Sequence, residues 1–139
     1  MSIMPAPSDT DAAERFMRGQ ATFEQLTGFS AAGFIESLEG VAPHFARNIM
    51  EWEFADVMGR SSLDTRTQEI VAITTFATLG ATAAPILKFR IATALRAGVT
   101  REEIIDIFIQ ISLGAGLPTA LAAIKMAEAT FAESTASEP

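Results

Sequence analysis

The sequence predicts a single all-α domain of about six to seven helices. Its 139 residues are enough for one hydrophobic core and too few for two. Helix-starting residues and helix-ending glycines recur along the chain, and apolar side chains between them follow helical spacing. We expect a flexible lead at residues 1–8, the helical domain at 9–133 and a solvated tail at 134–139.

Three helices are predicted before residue 60. Residues 9–27 read as an amphipathic helix whose apolar face includes Phe23. A short second helix follows Ser30. Pro43 suits the first turn of a third helix, because its missing N–H has no partner there in any case. Gly59 should end this helix.

Two more helices are predicted between residues 60 and 100. Ser62 or Asp64 caps the fourth helix, and Gly80 ends it. Pro85 begins the fifth helix, which stops at Gly98.

The sixth predicted helix carries a mixed signal. Thr100 and Glu103 have the spacing of a capping box, but isoleucines alternate with other residues over 105–111, which is also typical of a strand. The capping box and the lack of a nearby hairpin partner favour a helix. Pro118 then begins the seventh helix, which should run to about residue 133.

Composition excludes several classes of partner. The net charge of −7 and a pI near 4.6 argue against binding nucleic acid or anionic lipid. The chain has no cysteine, and hence no disulfide framework and no thiolate nucleophile. A single histidine and dispersed carboxylates give no metal-ligand spacing. We therefore expect no metal, no cofactor and no nucleic acid.

Hydrophobic residues make up 49% of the chain, which predicts burial of part of its surface in a homo-oligomer. Two runs without charge, at 70–87 and 107–124, approach the length of a membrane span. Glycine and proline interrupt both, so buried helices and no membrane contact are expected. The N-terminus lacks the features of a signal peptide, which predicts a cytoplasmic protein.

Three segments of the chain resemble the carboxymuconolactone decarboxylase family, which shares its fold with the alkylhydroperoxidase-D group. They read SSLDTRTQEIVAI, KFRIATALRAGVTREEI and IQISLGAGLPTALAAIKMAEATF, in that order, within about residues 40–130. The resemblance implies an all-α protomer with paired central helices, assembled as a symmetric oligomer that is often trimer-based or hexameric. It also implies that the sixth segment is a helix.

The family that the chain resembles carries out two kinds of reaction, and the sequence excludes one of them. The peroxidase branch needs a CxxC pair, and a chain without cysteine cannot run a thiol–disulfide cycle. The decarboxylase branch typically has Arg-Glu, a His and a Tyr. Here Gln68 precedes the retained Glu69, and Gly114 stands in the Tyr position. Counting back from the end of the fifth helix places Arg90 in the His position, whereas counting forward from Glu69 places Lys88 there.

These matches imply a site in which Glu69 acts as acid or base and Arg90 holds a substrate carboxylate. Arginine is a good bidentate carboxylate ligand and a poor proton donor. Gln68, Lys88 and Gly114 would complete the substrate-binding set, with Gly114 leaving room for a larger ligand. The structural alternative is that Glu69 and Arg90 simply pair with each other, and that Lys88 is solvated.

His44, the only histidine, is a second candidate proton carrier, although a lone histidine at a helix start is more often structural. Two functions follow from the resemblance. The first is a lyase or isomerase acting on a small carboxylated lactone or ring acid. The alternative is a non-catalytic, oligomeric ligand-binding or scaffold protein of the same family, which the missing His and Tyr favour.

Overall fold

The structure, a computed structural model, describes residues 9–136, and within that range it contains helices and turns and no strand. This confirms the all-α prediction. The lead predicted at residues 1–8 and the last three residues of the predicted tail lie outside the described range. The chain divides into two compact units, Met1–Ser62 and Leu63–Pro139. The single domain expected over residues 9–133 stays a prediction.

The first unit contains the three predicted helices. They are α1 (Asp9–Thr27), α2 (Ala31–Glu39) and α3 (Pro43–Asn48), and α3 continues directly into a π-helix, Ile49–Met58. The Ser30 hydroxyl caps α2 by accepting a hydrogen bond from the Gly33 N–H at 3.0 Å. Pro43 occupies the first turn of α3 as predicted. The wider π geometry of Ile49–Met58 was not predicted, and no single contact in the structure explains it.

Phe23 is the centre of the core of the first unit. Its ring lies 5.3 Å from the ring of Phe34 and 5.0 Å, edge to face, from that of Phe54. Beside this cluster Gly19 brings α1 against the π-helix, because a Cβ atom on Gly19 would lie 1.9 Å from the carbonyl oxygen of Met50. Only glycine allows the two backbones to approach so closely.

Replacing Gly19 with alanine should therefore destabilise the protein by at least about 2 kcal/mol. The clash with backbone outweighs the gain of about 1 kcal/mol that alanine brings to a helix interior. Urea unfolding followed by circular dichroism measures the loss. Gly40→Ala is the matched control, since a Cβ there meets nothing within 4 Å. If both variants were equally stable, the close approach of α1 to the π-helix would be wrong.

The second unit contains the four remaining predicted helices, which are α4 (Thr65–Thr78), α5 (Ala84–Arg96), α6 (Arg101–Gln110) and α8 (Leu117–Ala136). Two further elements were not predicted, a 3-10 turn (Gly80–Ala83) before α5 and the short α7 (Ser112–Ala115) after α6. Asp64 caps α4, because its carboxylate accepts a hydrogen bond from the Thr67 N–H at 2.8 Å. Of the two predicted caps, Ser62 and Asp64, it is therefore Asp64 that is observed. Helix α8 continues three residues past its predicted end, where Thr135 donates to the Phe131 carbonyl.

The predicted capping box of α6 is confirmed, and with it the helical state of the sixth segment. The Thr100 hydroxyl accepts from the Glu103 N–H, and the Glu103 carboxylate accepts from the Thr100 N–H at 2.8 Å. The Thr100 N–H, and then Arg66, lower the pKa of Glu103. Arg66 lies in α4, so this contact also joins the N-terminal ends of α4 and α6.

One apolar core joins α4, α5, α6 and α8 in the second unit. Its most buried large members are Ile73, Ile91, Ile104 and Phe108. The two uncharged stretches at 70–87 and 107–124 contribute side chains to this core. The first is interrupted at Gly80, and the second at Ile111 and Gly116. No helix in the described part of the chain is both long enough and apolar enough to span a membrane.

Candidate functional site

Helices α4 and α5 bring Glu69 and Arg90 together. On α4 the buried face repeats every four residues as Glu69, Ile73 and Ala77. On α5 the buried face includes Arg90 and, one turn later, Thr93. The 3-10 turn reverses the chain between the two helices, so the start of α4 faces the second half of α5. Two charged residues thus enter an otherwise apolar face.

The Glu69 carboxylate has a partner at each oxygen. Arg90 Nη1 lies 3.4 Å from Oε1, and the Thr93 hydroxyl donates to Oε2 at 2.6 Å. The three side chains are 0%, 2% and 1% exposed. Thr93 Oγ1 also lies 3.0 Å from the Arg90 carbonyl, which offers its proton a second acceptor. We call Glu69, Arg90 and Thr93 the buried cluster.

The buried cluster is electrostatically complete in the single chain. The Arg90 guanidinium lies 5.9 Å from the centre of the Phe76 ring, which adds a cation–π contact to its ion pair. Within residues 9–136, every buried side-chain nitrogen and oxygen has a hydrogen-bond partner. An unpaired charge at this depth would be costly, and here each charge is paired.

This arrangement limits what the cluster can do chemically. A general base must come within hydrogen-bonding distance of the proton that it removes, and a carboxylate clamp must expose its N–H groups to the ligand. Glu69 and Arg90 instead face each other and are closed to solvent. A substrate carboxylate would have to displace Glu69 from Arg90 before Arg90 could bind it.

Of the two residues considered for the family's His position, Arg90 is the one that contacts Glu69. Lys88 lies on the exposed side of α5, where its Nζ is 2.8 Å from a Glu133 carboxylate oxygen. Gln68 is half-buried next to Glu69 in sequence.

The other two predicted site residues are exposed, unlike the members of the buried cluster. Gly114 is exposed in α7, and a Cβ placed on it would meet nothing within 4 Å. His44 is exposed at the start of α3 and belongs to the first unit. Within the described residues no three metal-binding side chains come together.

Sequence reasoning missed Thr93. The signal was present, because Thr93 follows Arg90 by three residues and therefore lies on the same face of α5. A threonine within the apolar run IATAL is also unusual enough to suggest a hydrogen-bond partner in the core.

A small apolar cavity lies in the second unit where the end of α4, the 3-10 turn, the start of α5 and α8 meet. Its volume is about 170 Å³. Ala77 on α4 and Leu87 on α5 line it, and both lie on the helix faces that carry Glu69 and Arg90. Ala77 is two turns beyond Glu69, about 12 Å along α4 at 1.5 Å per residue. On α5 the lining residue Leu87 precedes Arg90 by three residues, about 4.5 Å along the helix. The cavity therefore lies beside the buried cluster, and neither Glu69 nor Arg90 lines it.

Comparison with known proteins agrees with this fold. Residues 43–129 match the model of the carboxymuconolactone decarboxylase family. The chain is 30% identical over 99 residues to an uncharacterized 15.0 kDa protein encoded in the nqo9–nqo10 intergenic region of Paracoccus denitrificans, covering 71% of this chain and 74% of that protein. It is also 30% identical over 97 residues to the 4-carboxymuconolactone decarboxylase of Acinetobacter baylyi, covering 70% and 71%. This protein belongs to the carboxymuconolactone decarboxylase family.

Proposed function

We propose that this protein is a ligand-binding member of the decarboxylase family that no longer carries out decarboxylation. One observation supports the proposal above all others. Glu69, the retained acid–base candidate, is fully buried, and its two oxygens are occupied by Arg90 and Thr93. Arginine stays protonated at any working pH and cannot return a proton to carbon as a histidine can. The chain has kept the fold and turned the acid–base position into an internal ion pair.

Decarboxylation of a carboxylated lactone needs an acid that re-protonates carbon after CO₂ leaves, and donors that hold the substrate carboxylates. None of the described residues that line the cavity is such an acid, since they are apolar apart from the Thr119 hydroxyl. His44 belongs to the first unit, and the proposal gives it no part in the chemistry.

The runner-up is a lyase or isomerase acting on a small carboxylated lactone or ring acid. Two observations favour it, namely the Acinetobacter relative named 4-carboxymuconolactone decarboxylase and the presence of both a carboxylate and a guanidinium at one place. Such an enzyme would need Arg90 to leave Glu69 and bind the substrate carboxylate. Glu69, freed from the pair, would then be the acid or base.

Turnover of 4-carboxymuconolactone separates the two functions. We expect the purified full-length chain to release no CO₂ above the uncatalysed rate, with the Acinetobacter enzyme as the positive control. Any turnover by this chain would contradict the proposal. If that turnover were lost in Glu69→Gln, with Lys88→Gln unchanged as the control, Glu69 would carry the reaction and the lyase function would be correct.

We propose further that the protein is a homo-oligomer. Large apolar side chains are at least half exposed in both units of the isolated chain, including Val41 and Trp52 in the first and Leu113, Leu117 and Leu121 in the second. So many exposed apolar side chains on a small protein are typical of an interface.

Light scattering on the purified chain measures the assembly directly. We expect a mass that is an integer multiple of the 14.8 kDa protomer, with three-fold or six-fold assembly in keeping with the family resemblance. A stable monomer over the whole concentration range would contradict the oligomer.

A further inference from the structure

We propose that the apolar cavity of the second unit is a binding site for one small, uncharged apolar molecule, with the size of a single six-membered ring. The inference rests on the proposed ligand-binding function and assigns it a place and a class of ligand. The place is not the Glu69–Arg90 position that the family resemblance indicated.

The volume of the cavity limits the size of the ligand. The cavity measures about 170 Å³. An engineered apolar cavity of about 150 Å³ in another protein stays dry and takes up benzene or xenon. The volume here is comparable to that of a ring of six carbon atoms. Because this cavity is open on one side, part of a bound ring would stay in contact with solvent.

The walls determine the polarity of the ligand. Five alanines line the cavity, namely Ala77, Ala81, Ala84, Ala122 and Ala123. The other described residues of the wall are Gly80, Leu87, Met126 and Thr119, and among the described lining residues the one polar side-chain group is the Thr119 hydroxyl. When an apolar ligand covers these methyl groups, apolar surface of both the wall and the ligand is removed from water, which is favourable.

The lack of charged groups in the cavity wall favours a neutral ligand over a ring acid. Within residues 9–136, no lysine, arginine or histidine lines the cavity, so a carboxylate placed against these walls would lose hydration without gaining a charged partner. The cation expected to hold a carboxylate, Arg90, is already paired with Glu69 and does not line the cavity. The cavity therefore favours a neutral molecule over the corresponding anion.

The open side of the cavity and a flexible side chain in its wall also suit a small ligand. Ala81 in the turn and Ala122 on α8 are exposed and form the open side of the cavity, whereas Ala123 and Leu87 are buried at its floor. Met126 is half-buried, and its flexible thioether can adapt to ligands of slightly different shape.

Benzene and benzoate are the probes, because they have the same ring and differ by one charge. Each is titrated into the ¹⁵N-labelled full-length protein while amide shifts are followed. We expect benzene to give saturable shifts at Leu87 and Ala123, with benzoate binding at least about tenfold more weakly. Equal binding of the two, or no saturable shift with benzene, would overturn the proposal.

Variants locate the site. Ala122→Leu places a larger side chain over the cavity from an exposed position, and we expect it to weaken benzene binding by about tenfold or more. Ala132→Leu is the matched control, since it is exposed on the same helix and does not line the cavity. Ala81→Leu repeats the test from the turn if Ala122→Leu fails to fold. Unchanged binding in the folded variants would refute the site.

The occupant could instead be a side chain of a second copy. In that case the amides at Leu87 and Ala123 would shift on dilution of the protein alone and would not respond to benzene, which overturns the small-molecule site. The outcome is separable from the turnover experiment. If the protein decarboxylates the lactone and also binds benzene, the proposed function is refuted and this site stands. If it does neither, this site is refuted and the absence of decarboxylation remains as proposed.

Discussion

Replacing Arg90 with methionine should cost about 3–5 kcal/mol of stability, because the change leaves the Glu69 carboxylate buried without its charge partner. Methionine is unbranched and fills much of the space of the arginine stem, so the loss reports the charge rather than a cavity. Thr93 alone cannot compensate, since one neutral hydroxyl contributes less than an ion pair at the same depth. Urea unfolding of the full-length chain measures the difference.

Lys88→Met is the control for this prediction. It removes a cation from the same helix, but from an exposed pair with Glu133. Exposed pairs contribute between zero and about 1 kcal/mol. A loss below about 1 kcal/mol for Arg90→Met would contradict the structural role of the pair, and Arg90 would then be available for a ligand.

Phe108→Ala should cost a similar amount, about 3–5 kcal/mol. Phe108 is fully buried in α6, in the core that joins α6 to α4, α5 and α8. Removing its ring takes away the transfer free energy of a large apolar side chain and leaves a void that the four helices cannot close without moving. Thermal and urea unfolding both follow this loss.

Leu113→Ala serves as the comparison for Phe108→Ala. Leu113 is 88% exposed in the short α7 of the same unit, so its truncation should change the stability of the monomer by less than about 0.5 kcal/mol. If Leu113→Ala cost as much as Phe108→Ala, Leu113 would be buried in the assembled protein. That result would support the homo-oligomer and locate part of its interface.

Most helix ends could be read from the sequence because they depend on local chemistry. The Ser30 cap, Pro43 in a first turn and the box formed by Thr100 and Glu103 each act within three residues. The sixth segment shows the limit of periodicity alone, since its alternating isoleucines fit a strand until the capping box is considered.

Features that depend on contacts between helices could not be read in this way. Gly19 looks like any helix-interior glycine until Met50 is placed beside it, and the π-helix at Ile49–Met58 has no sequence signal that we recognise. The cavity is invisible for the same reason. Alanines such as Ala77, Ala84 and Ala123 are good helix formers, and a space among them exists only once α4, α5 and α8 are packed.

The sequence could suggest which residues belong to the candidate site, but not what they contact. The family resemblance pointed to Glu69 and to either Arg90 or Lys88, and it left open whether these side chains face a ligand or each other. The structure pairs them, and it adds Thr93 as the third member. A buried ion pair is weak evidence for stability by itself, because its desolvation cost offsets much of the attraction. Its significance here is that it engages Glu69, the residue for which the family resemblance predicts an acid–base role.

A double-mutant cycle on Glu69 and Arg90 tests the central claim most directly. Unfolding free energies are measured for the wild type, Glu69→Leu, Arg90→Met and the double variant. If the pair is structural, each single change costs about 3–5 kcal/mol. The double variant should then lie within about 2 kcal/mol of the wild type, because two apolar side chains replace two charges and Thr93 can still donate to the Arg90-position carbonyl. Single losses near zero, or a double loss equal to their sum, would contradict an internal ion pair.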